Sequence, residues 1–429
     1  MGVFLLYNVE IWDIMEVGFS MNMEAGIMKI PDFMNKDDYL QNPIMRRFLK
    51  EHGLEFVDNR ADYINAIEEY AAQSDETKRE TRDWLLQVVK EGSKEICYRQ
   101  IRGVSEWHRD PVLLEAKIKE NYPECPMKNI LTYRNTGKCT MIEYRIITND
   151  ENEVVKIDFT FSKLFLHGET GKEGETIIFP VFIEVYLDDG FIISRGKAKS
   201  TLYQYDENNL MLFGEYKIDT MDYAVSIIDK IIDMFEFEID VNKKRVKNEN
   251  SQMLYRLYEK YSFTPADVVE KVKAKEDIIN GFVNRIFTEL QLDPRNKEKA
   301  LLDAKIFLEK FISINGNNEN IFKEDRPAYL IKVSADDEIE LTKIDTTSDK
   351  KIPLQCTEAF FDSKKSVVKS KKCKRLNLIF KRTDETYFTK ANPLVVQLGT
   401  HKNYGYMKTM QYAEEADIQN VLQAIFDNY

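Results

Sequence analysis

Cysteine, histidine, glycine and proline are all scarce in this 429-residue sequence. The five cysteines form no CxxC pair and their number is odd, so we expect neither a disulfide framework nor a cysteine zinc site. The four histidines show no HxxxH spacing, which disfavours a local histidine metal site. Because free thiols persist in a reducing compartment, we predict a cytoplasmic protein.

The sequence also lacks the signatures of several large protein classes. No run approaches the roughly 20 apolar residues that span a bilayer, so we expect no membrane partner. There is no GxxxxGKS/T phosphate loop, no GxGxxG after a predicted strand and no GxSxG elbow. These absences disfavour nucleotide hydrolysis and serine hydrolase chemistry, and we predict no cofactor.

The charge balance limits where an anionic partner could bind. The hydrophobic content of 43% predicts a folded chain, and the net charge of -12 argues against a surface that attracts nucleic acid everywhere. Salt confines the effect of a charge to roughly 10 Å. Any DNA contact must therefore be concentrated on a local basic patch.

A change of hydrophobic period along the chain predicts an α+β fold. Residues 38–100 show helical spacing, residues 130–218 alternate with period two, and helical spacing returns from residue 221. We divide the chain into an uncertain N-terminal extension (1–28), a helical region with a hairpin module (29–125), an antiparallel sheet plus helix (126–240), a helical region (241–320) and a β-rich domain with a terminal helix (321–429). Since Met28 begins a more ordinary sequence, part of residues 1–27 is expected to be peripheral or to precede the true start.

Polar turns between alternating segments predict three β-hairpins in the central region. The paired segments are 141–148 with 154–161, 177–187 with 191–197, and 201–205 with 210–218. A helix over residues 221–239 has an apolar stripe that can cover this sheet. Further strands are predicted at 329–334, 338–344, 376–380 and 387–389.

Residues 43–71 combine an amphipathic helix, a Gly-Leu turn and a second helical pattern. The segment contains Phe48, Leu49, Gly53, Leu54, Ile64 and Ile67, and Arg60-Ala61-Asp62-Tyr63-Ile64 follows the turn. This stretch resembles the SAP module and the related HeH and LEM helix–extended-loop–helix folds, which place their core and turn at the positions of those six residues. The resemblance implies a small two-helix unit that binds DNA or a protein partner.

The DNA contacts implied by this resemblance come from helix ends and basic side chains. Here the basic side chains are Arg46, Arg47, Lys50 and Arg60. Such groups hold phosphate oxygens without reading bases. The loop departs from the family by carrying Glu55 and Asp58, and the alternative is an ordinary helical hairpin with solvated charges.

A second basic feature lies near the C-terminus. Its residues are Lys364, Lys365, Lys369, Lys371, Lys372, Lys374, Arg375, Lys381 and Arg382. Interleaved apolar residues predict a strand pair joined by a basic turn, and such a turn could follow a phosphate backbone. The alternative is a solvated loop, or an edge strand that lysines protect from aggregation.

One arrangement resembles a catalytic site. Residues 210–218 form a predicted strand carrying Glu215 and Lys217, and Asp188 and Asp189 precede it at a hairpin. This resembles the PD-(D/E)xK nucleases, in which carboxylates hold Mg²⁺ and a lysine stabilises charge near the attacking water. On this alternative the catalytic residues are Asp189, Glu215 and Lys217, and Mg²⁺ is the cofactor. Alternating charges on a solvated strand face explain the same triplet.

These features lead to three hypotheses about function. The first is a non-enzymatic DNA-associated protein that uses the two basic features, with a role in bacterial defence against phage or mobile DNA as a guess from the architecture. The second is the metal-dependent nuclease. The third is a protein-interaction or assembly subunit whose acidic surface meets a basic partner and whose basic features do not touch nucleic acid.

Overall fold

The computed structural model describes residues 28–36, 39–315, 319–324, 326–337, 342–348, 352–383, 386 and 393–429. The predictions for residues 1–27 and for a strand at 387–389 lie outside the described residues, as do residues 338–341 of another predicted strand. The chain divides into two compact units, each of which makes most of its contacts within itself. One contains Gln41–Asp83, and the other contains Pro31–Leu40 and Trp84–Tyr429.

The predicted α+β class is confirmed. The helices among the described residues are α1 (Asp32–Lys36), α2 (Asn42–Glu51), α3 (Arg60–Ala71), α4 (Asp75–Lys90), α5 (Pro111–Asn121), α6 (Thr220–Phe235), α7 (Lys243–Tyr261), α8 (Ala266–Lys273), α9 (Glu276–Glu289), α10 (Lys297–Asn315), α11 (Glu358–Ser370) and α12 (Glu415–Phe426). The strands are β1 (Lys94–Gln100), β2 (Thr140–Thr148), β3 (Val154–His167), β4 (Glu175–Tyr186), β5 (Phe191–Lys197), β6 (Leu202–Gln204), β7 (Lys217–Ile218), β8 (Ala328–Asp337), β9 (Thr342–Thr347), β10 (Arg375–Phe380), β11 (Leu394–His401) and β12 (Tyr404–Thr409).

The smaller unit contains the predicted helical hairpin. Helices α2 and α3 flank a turn in which Gly53 has a φ of 64°, a left-handed conformation that glycine adopts without a steric penalty. The Asn59 side chain caps α3 by accepting the backbone N–H of Asp62 at 2.9 Å. A helix, a turn, an extended segment and a second helix thus follow one another as the residue pattern predicts.

The strands of the larger unit join in one antiparallel sheet. Their order is β7-β6-β3-β4-β5-β1-β12-β11-β10-β8-β9, with β2 added beside β3. Strand β1 lies between β5 and β12, since Cys97 pairs with Ser194 on one side and Tyr406 on the other. The strands of residues 140–218 and 328–409 therefore form a single sheet.

The sequence pattern predicts some of these strands and misses others. The hairpins of β2 with β3 and of β4 with β5 are confirmed. Strand β1 was expected to be helical, and this prediction is wrong. It is buried on both faces, so the alternation that marks a half-buried strand is missing. Strands β11 and β12 are not predicted, because glycines interrupt both of them.

Most of the predicted strand at residues 210–218 is absent, although its last two residues do pair with β6 as predicted. Only Lys217 and Ile218 form a strand, β7, and Gly214–Tyr216 form a turn of 3-10 helix. The backbone of Leu212 instead exchanges hydrogen bonds with the loop near Gly171 and Lys172. The buried Leu212 side chain packs beside this loop, against Gly168, Gly174 and Leu166, and not within a strand pair.

The basic C-terminal segment has a different structure from the predicted strand pair. Residues 358–370 form helix α11, because Phe360, Phe361 and Val367 recur at helical spacing and are buried. The side chain of Thr357 caps this helix by accepting the N–H of Phe360 at 3.4 Å. The strand predicted at 376–380 is present as β10, so the basic turn joins a helix to a strand.

Helices cover both faces of the sheet. Because successive strand residues point to opposite faces, Ile96 and Tyr98 pack in the core beneath α7 and α12, whereas Cys97 packs in the core beneath α6. The predicted apolar stripe of α6 is buried in that second core. Helix α7 is fixed against β8, β11 and β12, and this packing fixes the position of its first turn.

Candidate anion-binding cleft

A polar cleft of about 430 Å³ lies beside the first turns of α7. Its other wall is the turn that joins α11 to β10. The residues that line it are Asn242, Lys244, Arg245, Lys247, Asn248, Ser251, Lys372, Cys373 and Lys374. Five of these side chains are cationic and none is a carboxylate, so the cleft attracts anions.

The start of α7 carries charges of the unusual sign for its position. The Asn242 side chain caps the helix by accepting the N–H groups of Lys244 and Arg245 at 3.1 and 3.2 Å, and the first turn contains no acidic residue. Cations at the positive end of a helix dipole cost about 0.3–1 kcal/mol each. A bound anion reverses this cost, because it interacts favourably with both the dipole and the side chains.

The opposite wall is held to α7 by the backbone. The N–H of Cys373 donates to the carbonyl of Ser251 at 3.0 Å, and the N–H of Lys374 donates to the carbonyl of Ser334 at 2.7 Å. The Cys373 side chain is buried, and burial raises the pKa of its thiol. The turn is therefore anchored on both sides, and Lys372 and Lys374 are attached to a fixed backbone.

An ion pair at the rim partly offsets the positive charge of the lining. Arg245 forms an ion pair with Asp240, which lies outside the cleft lining, and the hydrogen bond from this carboxylate raises the pKa of the guanidinium. Four lysines complete the cationic lining. Lysine presents a compact, strongly hydrated charge with rotatable donors, which suits the variable positions of phosphate groups.

The structure disperses the basic C-terminal segment instead of gathering it on one surface. Lys372 and Lys374 line the cleft. Lys364 pairs with Glu309 at 2.8 Å on neighbouring α10. The remaining residues do not line the cleft. Lys365 pairs with Asp303, and Arg382 is buried against Asp417. The other four are exposed, and they are Lys369, Lys371, Arg375 and, beyond the far end of β10, Lys381.

The basic side chains of the helical hairpin mostly have partners within the hairpin. Arg46 pairs with Asp58 at 2.6 Å, and Arg47 pairs with Glu51 at 2.8 Å. The hairpin also contains a hydrogen bond from Arg60 to the Asn42 side chain at 2.7 Å, while Lys50 is exposed. The two carboxylates reduce the positive charge that the SAP resemblance implies for this unit.

The three proposed nuclease residues are not brought together. Through β6 and β3, the register places Lys217 level with Thr176 on β4, whereas Asp189 follows Tyr186 at the other end of that strand. Ten strand positions separate Thr176 from Tyr186, which corresponds to roughly 30 Å. The exposed Glu215 lies next to Lys217 in the chain, so the predicted Mg²⁺ site of Asp189, Glu215 and Lys217 is not formed.

No family model, no curated protein and no solved structure matches this chain. Within the described part of the chain, none of the helices has both the length and the apolar character needed to cross a bilayer. The same residues contain no group of three or more histidine, cysteine or acidic side chains arranged to hold a metal ion. The basic cleft is therefore the candidate functional site of the described residues.

The wall of the cleft that α7 provides is not predicted from the sequence. The run Lys243-Lys244-Arg245-Val246-Lys247 directly follows the helix-capping Asn242, and four of its five residues are basic, against nine of the nineteen residues 364–382. A basic run at the start of a helix is the sequence feature that indicates this wall, because acidic residues are favoured at that position. Its proximity to Lys372 and Lys374 depends on tertiary packing, which sequence spacing does not show.

Proposed function

We propose that this protein binds the phosphate backbone of nucleic acid through the basic cleft, without catalysing a reaction. The observation that carries the proposal is the charge segregation. Five cations and no carboxylate line one cleft of a chain whose net charge is -12. Neutralising phosphates with such side chains releases condensed counterions, and this release drives non-specific binding to nucleic acid.

The composition of the cleft favours contacts to phosphates over contacts to bases. No aromatic side chain lines it, so it has no platform on which an unpaired base could stack. Pockets for small molecules are lined mainly by apolar and aromatic groups, and this cleft is lined mainly by lysine, arginine and asparagine. We therefore propose that the cleft binds nucleic acid largely independently of the nucleotide sequence.

Removing the charge of the cleft tests the proposal directly. The variant changes Lys244, Lys247, Lys372 and Lys374 to alanine, and the control changes four exposed cations outside the cleft, Lys128, Arg134, Lys138 and Lys260. Fluorescence anisotropy with a labelled DNA duplex gives the Kd of each protein. Because an ion pair in contact with solvent contributes up to about 1 kcal/mol, the loss of four such pairs should cost up to about 4 kcal/mol, and we expect the cleft variant to bind on the order of a hundredfold more weakly.

The control has the same net charge as the cleft variant, so a general loss of positive charge would weaken both equally. We expect the control to bind like the wild type. Thermal unfolding of all three proteins checks that each is folded. Equal Kd values for the cleft variant and the wild type, or negligible binding by the wild type, would refute the proposal. Cleavage of the duplex in Mg²⁺ would refute its non-enzymatic part.

A further inference from the structure

Exposed apolar side chains are concentrated in the helices α8 to α10 and the residues beside them. Of the twenty large hydrophobic side chains that are exposed in the described part of the chain, nine lie within residues 263–311. The most exposed among them are Ile278 at 67%, Leu290 at 66%, Phe307 at 63% and Phe282 at 60%. Scattered exposed hydrophobic residues are normal, but a local concentration of large ones marks an interaction surface.

Five of these nine side chains lie on α9 and α10, two helices that pack against each other. Ile278 and Phe282 are one turn apart on α9. Phe307 and Phe311 are one turn apart on α10, with ring centroids separated by 4.7 Å. Lys305 of α10 binds Glu276 of α9, which holds the two helices together. We call the exposed apolar side chains of α9 and α10, together with Leu290 at the end of α9, the helical face.

The area of the helical face is that of a dimer interface rather than of a small-ligand site. A large side chain offers roughly 150–250 Å². At exposures between 43% and 67%, Ile278, Phe282, Leu290, Leu302, Phe307 and Phe311 together expose about 600 Å². A stable interface buries about 800 Å² on each partner. The six apolar side chains alone would therefore supply about three quarters of that area, and the polar residues around them would have to supply the rest.

The charge balance around the helical face limits the kind of partner that fits it. Residues 266–315 contain nine acidic and nine basic residues and are therefore neutral, whereas the whole chain carries -12. A basic or acidic partner finds no complementary field there. Two copies of this chain repel each other through most surfaces, but not through a neutral one. We propose that a second copy of the chain covers the helical face and forms a dimer.

The mass of the full-length protein in solution tests this inference, independently of nucleic acid. Analytical ultracentrifugation of the wild type is expected to give twice the chain mass of 50.4 kDa. The test variant combines Phe282→Glu with Phe307→Glu, which place charges in the centre of the face. We expect its self-association to weaken on the order of a hundredfold or more, because aromatic anchors contribute most of the energy of an interface.

A matched control combines Val112→Glu with Val241→Glu, at apolar side chains that are 73% and 85% exposed outside the helical face. The control is expected to remain a dimer with the melting temperature of the wild type. A monomeric wild type at all concentrations overturns the proposal, and so does a test variant that still dimerises.

Discussion

The buried charges of the sheet are positioned by partners that lie far apart in sequence. Glu184 is almost fully buried on β4, and its carboxylate binds Arg195 at 2.7 Å and Lys156 at 2.9 Å. Arg195 is completely buried and also binds Glu415 of α12. Burial alone raises the pKa of Glu184, but the nearby charges of Arg195 and Lys156 lower it below its ordinary value. Residue patterns cannot show such a cluster, because its members lie on four separate elements.

Removing one carboxylate from this cluster leaves a buried cation without full compensation. We expect Glu184→Gln to lower the free energy of unfolding by about 3 kcal/mol. The reason is that breaking a buried ion pair leaves the other charge buried without a partner. Urea denaturation at pH 7 measures the change. The control is Glu289→Gln, which breaks the exposed pair of Glu289 with Arg285 and is expected to cost less than about 1 kcal/mol. Equal losses would contradict the role assigned to burial.

The same carboxylate makes stability depend on pH in the acid range. Its pKa in the folded state lies below the unfolded value of about 4.3, so its contribution is complete above that pH and is lost as the pH falls through the folded pKa. We therefore expect the free energy of unfolding of the wild type to fall more steeply below pH 5 than that of Glu184→Gln. Urea denaturation at several pH values between 7 and 3 measures this difference. Parallel curves for the two proteins would contradict the expectation.

At the scale of elements, strand pairing depends on contacts between glycines and aromatic rings. Gly405 of β12 pairs with Tyr98 of β1, and Gly399 of β11 pairs with Tyr406 of β12. In each pair the ring occupies the space that a Cβ atom on the glycine would need. Glycine weakens a strand pattern when the sequence alone is considered. Here the rings supply the missing packing, which explains why β11 and β12 were not predicted.

A methyl group at one of these glycines is expected to disturb the centre of the sheet. Gly405→Ala places a Cβ atom within the volume of the buried Tyr98 ring, so we expect a loss of about 1–3 kcal/mol in the free energy of unfolding. Gly281→Ala is the control, because its Cβ atom meets open space on helix α9 and alanine favours a helix by about 1 kcal/mol. Denaturant unfolding should therefore show a lower free energy of unfolding for Gly405→Ala and a higher one for Gly281→Ala than for the wild type. A neutral Gly405→Ala would contradict the packing argument.

The elements that the sequence predicts well are those whose signals are local. Hairpin turns such as residues 149–152, and the capped helix α3, need only neighbouring residues, and both are observed. The failures at residues 94–100, 210–218 and 358–370 share a different cause. In each, the surroundings decide which side chains are buried, and the same apolar residues fit either a helix or a strand.

At the scale of the whole molecule, the candidate site arises from the sheet. Strand β1 joins the strands on either side of it, and α7 lies across β11 and β12. That packing brings the turn at residues 371–374 to the start of α7, although more than a hundred residues separate them in the chain. The basic residues of both segments are visible in the sequence. Their meeting in one cleft is not, because it follows from the long-range strand order.

Because the cleft is basic while the whole chain is acidic, we expect the Kd for the DNA duplex to depend on salt concentration through the cleft. Each phosphate neutralised by the cleft contributes about 0.9 to the slope of log Kd against log salt concentration. Arg245 is already paired with Asp240, so the four lysines of the cleft give an expected wild-type slope of about 4.

The variant lacking Lys244, Lys247, Lys372 and Lys374 should lose about 3 to 4 of this slope, since four of its five lining cations are gone. The control variant that lacks four exposed cations elsewhere should keep the wild-type slope, although its net charge matches that of the cleft variant. Anisotropy titrations from about 50 to 200 mM salt measure all three slopes. Equal slopes in the two variants would mean that net charge, rather than the cleft, controls binding.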